Sequence, residues 1–313
     1  MFMAGNIATR AAYGDALVEF GSDERIIVMD ADLSKSTKTD GFQKKYPDRH
    51  INMGIAEANL MCTAAGLATC GKIVFASSFA VFAAGRAFEQ VRNSICYPNL
   101  NVKIGATHAG ISVGEDGASH QAIEDIAIMR SIPNISIISP CDAASSRFAV
   151  KAAIENDGPF YLRFGRLAVP QIYDENTKFE FGKGMVLKDG TDVSIIANGL
   201  MVQYALEAAK ILAEQDINAR VIDIHTIKPI DRDIIIKAAK ETGCIVTAEE
   251  HTIMGGLGSA VAEVVTSEYP VPVKMVGIED KFGKSGNPYE LLEIYGLTAE
   301  NIAAKAIESM QML

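Results

Sequence analysis

Residues 101–133 read NVKIGATHAGISVGEDGASHQAIEDIAIMRSIP. The stretch opens on a β-type run, Asn101 to Ala106, and then leaves regular patterning. The loop that follows carries His108, Glu115, Asp116 and His120 among Gly110, Gly114 and Gly117. Helical spacing resumes at Ile123, Ile126, Ala127 and Arg130. A glycine-rich loop between a strand and a helix suits a binding site, because glycine lets backbone and ligand approach closely. Two histidines and two acids in one loop suit general acid–base work, since histidine titrates near neutral pH. A solvated turn that caps the next helix accounts for the same residues equally well, so the rest of the chain decides.

The chain has 313 residues, of which 49% are hydrophobic and 7% aromatic, with no tryptophan. Cores must therefore be aliphatic and alanine-packed, which suits α/β layers whose strands are buried on both faces. A formal charge of −10 argues against nucleic acid or an anionic membrane as the main partner. Five cysteines (Cys62, Cys70, Cys96, Cys141 and Cys244) include no C-x-x-C pair. Without a signal peptide or a long apolar span, the expected setting is cytoplasmic, with reduced thiols. No Cys/His spacing resembles a zinc site, so no metal ligand is assigned on this chain.

The spacing predicts a helix from Ile7 to Phe20 closed by Gly21, then a strand Ile26–Asp30 that empties into Ala-Asp-Leu-Ser. Asp32 stands at that strand's C-terminal end, where open α/β sheets bind ligands, though an aspartate there also stabilises a turn. A short extended piece at His50 leads into an alanine-rich helix ending near Thr69, with Glu57 in its first turn. A carboxylate in that place suits the helix dipole. Its small apolar neighbours Ile55, Ala56 and Ala58 point to an inward-facing group, which can share a proton with a ligand nitrogen. After a strand at Ile73–Ser77, Phe79 and Phe82 fall three apart near the start of a predicted helix. They suit core packing, or a wall for an aromatic ring. Strands follow at 135–139 and 160–164 around a helix capped by Asp142, and Arg163 and Arg166 flank the second strand. Arginines at a strand end suit phosphate, or simply the surface.

The pattern weakens between Leu167 and Gly184, and strand–helix alternation then restarts. The expected organisation is one α/β domain over residues 1–170, a linker over 171–183 and a second α/β domain over 184–313, both doubly wound. Two motifs in the second half mislead. Gly256-Leu-Gly-Ser-Ala-Val puts valine where a dinucleotide fingerprint needs glycine or alanine. Gly283-Lys-Ser follows Ile278, where a P-loop needs its first glycine.

Taken in order, Asp30-Ala-Asp-Leu-Ser, Gly54-Ile-Ala-Glu-Ala, Ser78-Phe-Ala-Val-Phe and Thr107-His-Ala-Gly-Ile-Ser-Val-Gly-Glu-Asp-Gly-Ala-Ser-His-Gln are specific. Together they resemble the pyrimidine-binding domain of the thiamine-diphosphate enzymes of the transketolase family. The region from Gly182 onward resembles that family's C-terminal domain. The resemblance implies that Glu57 hydrogen-bonds the aminopyrimidine N1′ and that Phe82, with Phe79 beside it, stacks on the ring. It also implies that His108 and His120 bind substrate hydroxyls and move protons. Asp116 orients the donor's hydroxyls, Arg163 or Arg166 holds a sugar phosphate, and Asp32 lies near the cofactor.

In that family the diphosphate and its Mg2+ or Ca2+ are held by a separate domain marked by Gly-Asp-Gly, and no Gly-Asp-Gly occurs in this sequence. The resemblance thus implies the C-terminal subunit of a split transketolase, acting on sugar phosphates. It would need an N-terminal subunit carrying Gly-Asp-Gly and would assemble as a homodimer or heterotetramer. The β subunit of 2-oxoacid dehydrogenases is similar in length and domain order but does not usually carry Gly-Glu-Asp-Gly-x-x-His. Deoxyxylulose-phosphate synthases share the pyrimidine logic with an arginine-like position at His108. A silent homologue acting in assembly is the non-enzyme alternative, and Glu57 speaks against it.

Overall fold

The computed structural model describes residues 5–174 and 176–313. Strand Ile26–Asp30 shows why the first half folds as it does, since all five of its residues are buried. Ile27 and Met29 enter one apolar cluster, while Ile26 and Val28 enter another on the opposite face. A strand with two buried faces needs helices on both sides and parallel neighbours reached by crossovers. The seven-stranded sheet runs, in spatial order, Thr226–Lys228, Ser136–Ile138, Phe160–Arg163, Val102–Thr107, Ile73–Phe79, Ile26–Asp30 and His50–Asn52. Its pairings are parallel except that of Thr226–Lys228 with Ser136–Ile138. That antiparallel edge strand comes from the second half of the chain, so the two halves are not separate sheets.

The helix Glu57–Thr69 buries Leu60, Met61, Ala64, Ala65 and Ala68, spaced three and four apart, against this sheet. Small residues on that stripe bring the helix axis close to the strands, and replacing Leu60 by Ala would cost about 2–5 kcal/mol. On the other face, Gly14 in helix Thr9–Phe20 lets the Ser34–Thr39 segment lie against it. A Cβ on Gly14 would stand 2.3 Å from the Lys38 carbonyl oxygen.

The second sheet runs Val273–Ile278, Ile245–Thr252, Val193–Ala197, Ala219–Asp223 and Met185–Lys188, parallel except for the last. Its helices include Met201–Ala213, Arg232–Thr242, Leu257–Glu268 and Ala299–Met310. The glycine-rich start of Leu257–Glu268, which mimics a dinucleotide fingerprint, is occupied from within the chain. Glu249 accepts hydrogen bonds from the Leu257 and Gly258 amides at 2.7 and 2.8 Å. A carboxylate thereby sits where a helix N-terminus would hold a phosphate.

The described residues between Val169 and Met185 carry no strand or helix, and their start is held down. Asp142 caps helix Ala143–Glu155 through the Ser145 amide. Its second oxygen accepts from the Ile172 and Tyr173 amides at 2.9 and 2.8 Å. One expectation fails locally. The strand from Ile73 continues to Phe79, so Phe79 ends a strand, and Phe82 lies in a wide turn over Phe82–Arg86 with five-residue hydrogen bonding. The predicted helix thus begins at Ala80, a few residues later than expected, and runs in α- and π-helical turns to Cys96.

Candidate active site at the strand ends

Parallel pairing brings the C-terminal ends of the first sheet to one edge. Asp30 lies opposite Asn52 and Ser77, Phe79 opposite Thr107, and Ala106 opposite Arg163. Open α/β sheets bind ligands at this edge. Glu57 starts its helix there and is buried, with 2% of its surface exposed. It therefore does more than decorate a helix N-terminus, since a buried carboxylate needs a partner. The partner is Arg86, whose Nη1 donates to Oε1 at 3.0 Å and to Oε2 at 2.9 Å. The Arg86 guanidinium lies 4.2 Å from the centre of the Phe82 ring. Phe82 in turn lies nearly parallel to Phe79, with centroids 6.0 Å apart.

Asp32 is exposed and adopts a left-handed φ of 63°. Its amide donates to Asn52 Oδ1, and its carboxylate accepts from Asn52 Nδ2. Asn52 Oδ1 also accepts from the Gly54 amide, so this exchange shapes the turn leading to Glu57. Asp30 is the buried acid of this segment. It accepts from the Leu33 amide and from the hydroxyls of Thr37 and Thr39, fixing the loop beneath Asp32.

The two histidines differ. His108 is buried, adopts a φ of 57° and stacks on Phe79 with centroids 3.8 Å apart. A left-handed residue that is not glycine is held there by its surroundings. Arg10 Nη1 donates to His108 Nε2 at 3.1 Å. Arginine has no acceptor, so Nε2 is bare and Nδ1 carries the proton towards Thr107 Oγ1, 2.9 Å away. Burial, then the neighbouring Arg10 and Arg166, push the His108 pKa down to about 3. His108 is thus a neutral hydrogen-bonding group at physiological pH. His120 is half-buried and meets the edge of Phe82, with centroids 5.3 Å apart. Asp116 is exposed in the same loop.

Arg163, the alternative to Arg166 for holding a phosphate, ends its strand at this edge but is already paired. It is buried, with Nε donating to Asp125 at 2.9 Å and Nη2 to the Glu250 carbonyl at 3.0 Å. That guanidinium ties the two halves of the chain together. Arg166 is partly exposed, donating to the Val113 carbonyl and, at 3.1 Å, to Glu115.

Arg10, which sequence reasoning did not single out, also reaches His108 at this edge. It donates to the Ser36 carbonyl at 2.7 Å as well as to His108. Burial and the nearby Arg166 both lower its pKa. Arg10, Arg166 and Lys38 all act on His108, forming a cationic pole at one end of the edge. One signal was available: Arg10 stands in the first turn of its helix, where a cation opposes the dipole.

The edge thus has a buried carboxylate beside a phenylalanine platform and, across His108, a cationic pole. A flat heterocycle with a basic ring nitrogen fits the first part, and a phosphate monoester fits the second. Residues 5–171 match the pyrimidine-binding domain of transketolase, and residues 182–302 match the transketolase C-terminal domain. The chain belongs to the transketolase family, whose members depend on thiamine diphosphate.

It is 51% identical over 306 residues to a putative transketolase C-terminal section of Methanocaldococcus jannaschii, covering 96% of each chain. It is 43% identical to a 6-deoxy-6-sulfo-D-fructose transketolase subunit of Clostridium sp. (strain MSTE9), covering 96% of this chain and 93% of the relative. Among solved structures, a split-gene transketolase described as an inactive beta4 tetramer superposes with a TM-score of 0.90. The two are 56% identical, and the match covers 98% of this chain and 99% of that one.

Proposed function

We propose that this chain is the C-terminal subunit of a split transketolase and moves a two-carbon ketol unit between sugar phosphates. The observation that carries this reading is the pairing, on one strand edge, of the Glu57–Phe82 ring site with the Arg10–Arg166 pole. When bound, thiamine diphosphate supplies the nucleophile and the electron sink for ketol transfer. Glu57 would hydrogen-bond the aminopyrimidine N1′ and share its proton with it, with Phe82 and Phe79 forming the wall beneath that ring and Asp32 lying near it.

Arg166, with Arg10 beside it, would hold the substrate's phosphate, and the bare Nε2 of neutral His108 would accept a hydrogen bond from one of its hydroxyls. His120 would move the proton at the reacting hydroxyl, and Asp116 would orient the donor. The diphosphate and its Mg2+ or Ca2+ would be held mainly by an N-terminal partner carrying Gly-Asp-Gly. Ile55, two residues before Glu57, is 77% exposed, which suits a face covered by another subunit. A homodimer or heterotetramer joined through residues 1–180 would cover it. Five free thiols accord with a cytoplasmic setting. Among the described residues no helix is long and apolar enough to cross a membrane.

The test is reconstitution. The purified chain, mixed with its N-terminal partner, thiamine diphosphate and Mg2+, should turn over xylulose 5-phosphate with ribose 5-phosphate far better than pyruvate. The chain alone should show negligible turnover. Preference for pyruvate would replace this reading with a 2-oxoacid dehydrogenase β-type subunit, and robust transfer by the single chain would overturn the split.

A further inference from the structure

Arg86 is drawn in by two features that a surface arginine does not combine. One nitrogen spans both oxygens of Glu57, at 3.0 and 2.9 Å, and so covers the mouth of that carboxylate. Its planar guanidinium also lies against the Phe82 ring at 4.2 Å. A flat cation that hydrogen-bonds Glu57 and stacks on Phe82 occupies both of the places an aminopyrimidine would need there. Both ends of the pair are set by the fold. Glu57 is held by its helix, and Arg86 closes the wide turn in which the Ala87 amide bonds back to the Phe82 carbonyl at 3.2 Å. The partners differ in exposure, at 2% for the Glu57 side chain and 49% for that of Arg86. The carboxylate therefore stays in place while the guanidinium can swing into water.

We infer that Arg86 is a positioning residue that stands in for the aminopyrimidine, holding Glu57 and Phe82 in their receptive arrangement and leaving when the ring arrives. This rests on the reading of Glu57 and Phe82 as the ring site. Two consequences follow from electrostatics. Without the ring, Arg86 keeps Glu57 from being a buried, unpaired charge, which would be strongly destabilising. When the ring binds, that ion pair must be given up, so Arg86 weakens cofactor binding. It also filters ligands, because a ring that stacks without a hydrogen bond to Glu57 leaves the carboxyl group without a partner.

The test measures binding and stability in the complex reconstituted with the N-terminal subunit, comparing wild type with Arg86→Met, Arg86→Lys, Glu57→Gln and the double variant. Methionine keeps an apolar stem of similar length and removes the charge. Thiamine diphosphate affinity is read by calorimetry, and melting temperature is read with and without it. Arg86→Met should bind the cofactor roughly tenfold more tightly or better. It should also melt several degrees lower without cofactor, and that loss should disappear in the Glu57→Gln background. Arg86→Lys, charged but unable to stack as a plane, should fall between. Unchanged or weaker binding by Arg86→Met, with wild type binding normally, overturns the stand-in role. A melting loss that persists in the double variant also overturns it. If Arg86→Met fails to fold, Arg86→Lys decides by the same comparison. Wild-type complex that binds no thiamine diphosphate would instead remove the reading of the ring site itself.

Discussion

Glu250 Oε1 accepts a hydrogen bond from the Ser112 amide at 2.6 Å, across 138 residues of sequence. Through it the second half of the chain grips the loop that carries His108, Asp116 and His120. Gly110 lies so close that an added Cβ would stand 2.2 Å from the Glu250 carboxyl carbon, and its φ is +86°. Gln121 extends the grip, donating to the Ile111 carbonyl within the loop and to the Lys284 carbonyl beyond it. Glu250→Ala would leave the Ser112 amide buried and unpaired, costing about 1–3 kcal/mol. Denaturant melts should show that loss. Steady-state assays of the reconstituted enzyme should show a lower kcat with thiamine diphosphate affinity close to wild type. Loss of cofactor affinity with kcat intact would contradict the loop-orienting role.

The two arginines beside the last parallel strand should separate cleanly. Arg163→Leu leaves Asp125 buried and unpaired and should lose about 3–5 kcal/mol of stability. Arg166→Leu should fold normally. It should raise KM for a phosphorylated ketose by roughly ten- to hundredfold, the range expected for a lost hydrogen bond to a charged group. Equal KM values for wild type and Arg166→Leu would remove Arg166 from the phosphate site.

Asp223 offers a pH signature. Burial is the main cause, and Asp142 adds to it, in pushing its pKa up from 3.8 to about 7. Hydrogen bonds from Tyr173 and Cys141 pull the other way. Its Oδ2 accepts from Tyr173 at 2.7 Å, while Oδ1 has no protein partner. A raised pKa means the folded state keeps a proton that the unfolded chain has lost. The stabilisation is complete below pH 3.8, falls as pH rises towards 7, and is gone above it. Urea midpoints should therefore drop between pH 5 and 7 and then level off. Asp223→Asn, which mimics the protonated acid, should flatten that drop. Parallel profiles for the two proteins would show that Asp223 is not its source.

Glu57→Gln tests the proton donor directly. It keeps the size of the side chain and removes the carboxylate proposed to share a proton with N1′. Hydrogen–deuterium exchange at the cofactor's C2, measured in the reconstituted complex at saturating cofactor, should slow by roughly two to four orders of magnitude. Circular dichroism should be unchanged. Equal exchange rates would leave Glu57 as a structural acid only.

What could be read from the sequence was what repeats locally. Strands such as Ile26–Asp30 and Val193–Ala197 announce themselves as short apolar runs because both of their faces are buried. Helices such as Leu257–Glu268 follow from spacing and a glycine-rich start. Glu57 is buried as expected, but not through its neighbours, since Ile55 is exposed and Ala56 and Ala58 are half-buried. Non-local pairings were hidden. Nothing around Thr226 shows that it pairs with Ile138, and nothing around Arg163 shows that Asp125 waits for it. Arg10 and Arg86 were passed over because an arginine in a helical pattern resembles surface charge until its partner is seen. The wide turn after Phe79 obeys neither the strand nor the helix period, so the boundary there was misplaced.

The antiparallel strand Thr226–Lys228 has a consequence for how this molecule is made and cut. During synthesis the ribosome delivers the first six strands of the large sheet well before the seventh. Until Thr226–Lys228 arrives, Ser136–Ile138 is an open edge with unpaired backbone groups, inviting another chain to add itself. A fragment ending near residue 170, though it matches a recognised domain, would keep that raw border permanently. Expressed alone, it should form aggregates or strand-exchanged pairs, and a peptide spanning residues 224–230 supplied in trans should suppress them.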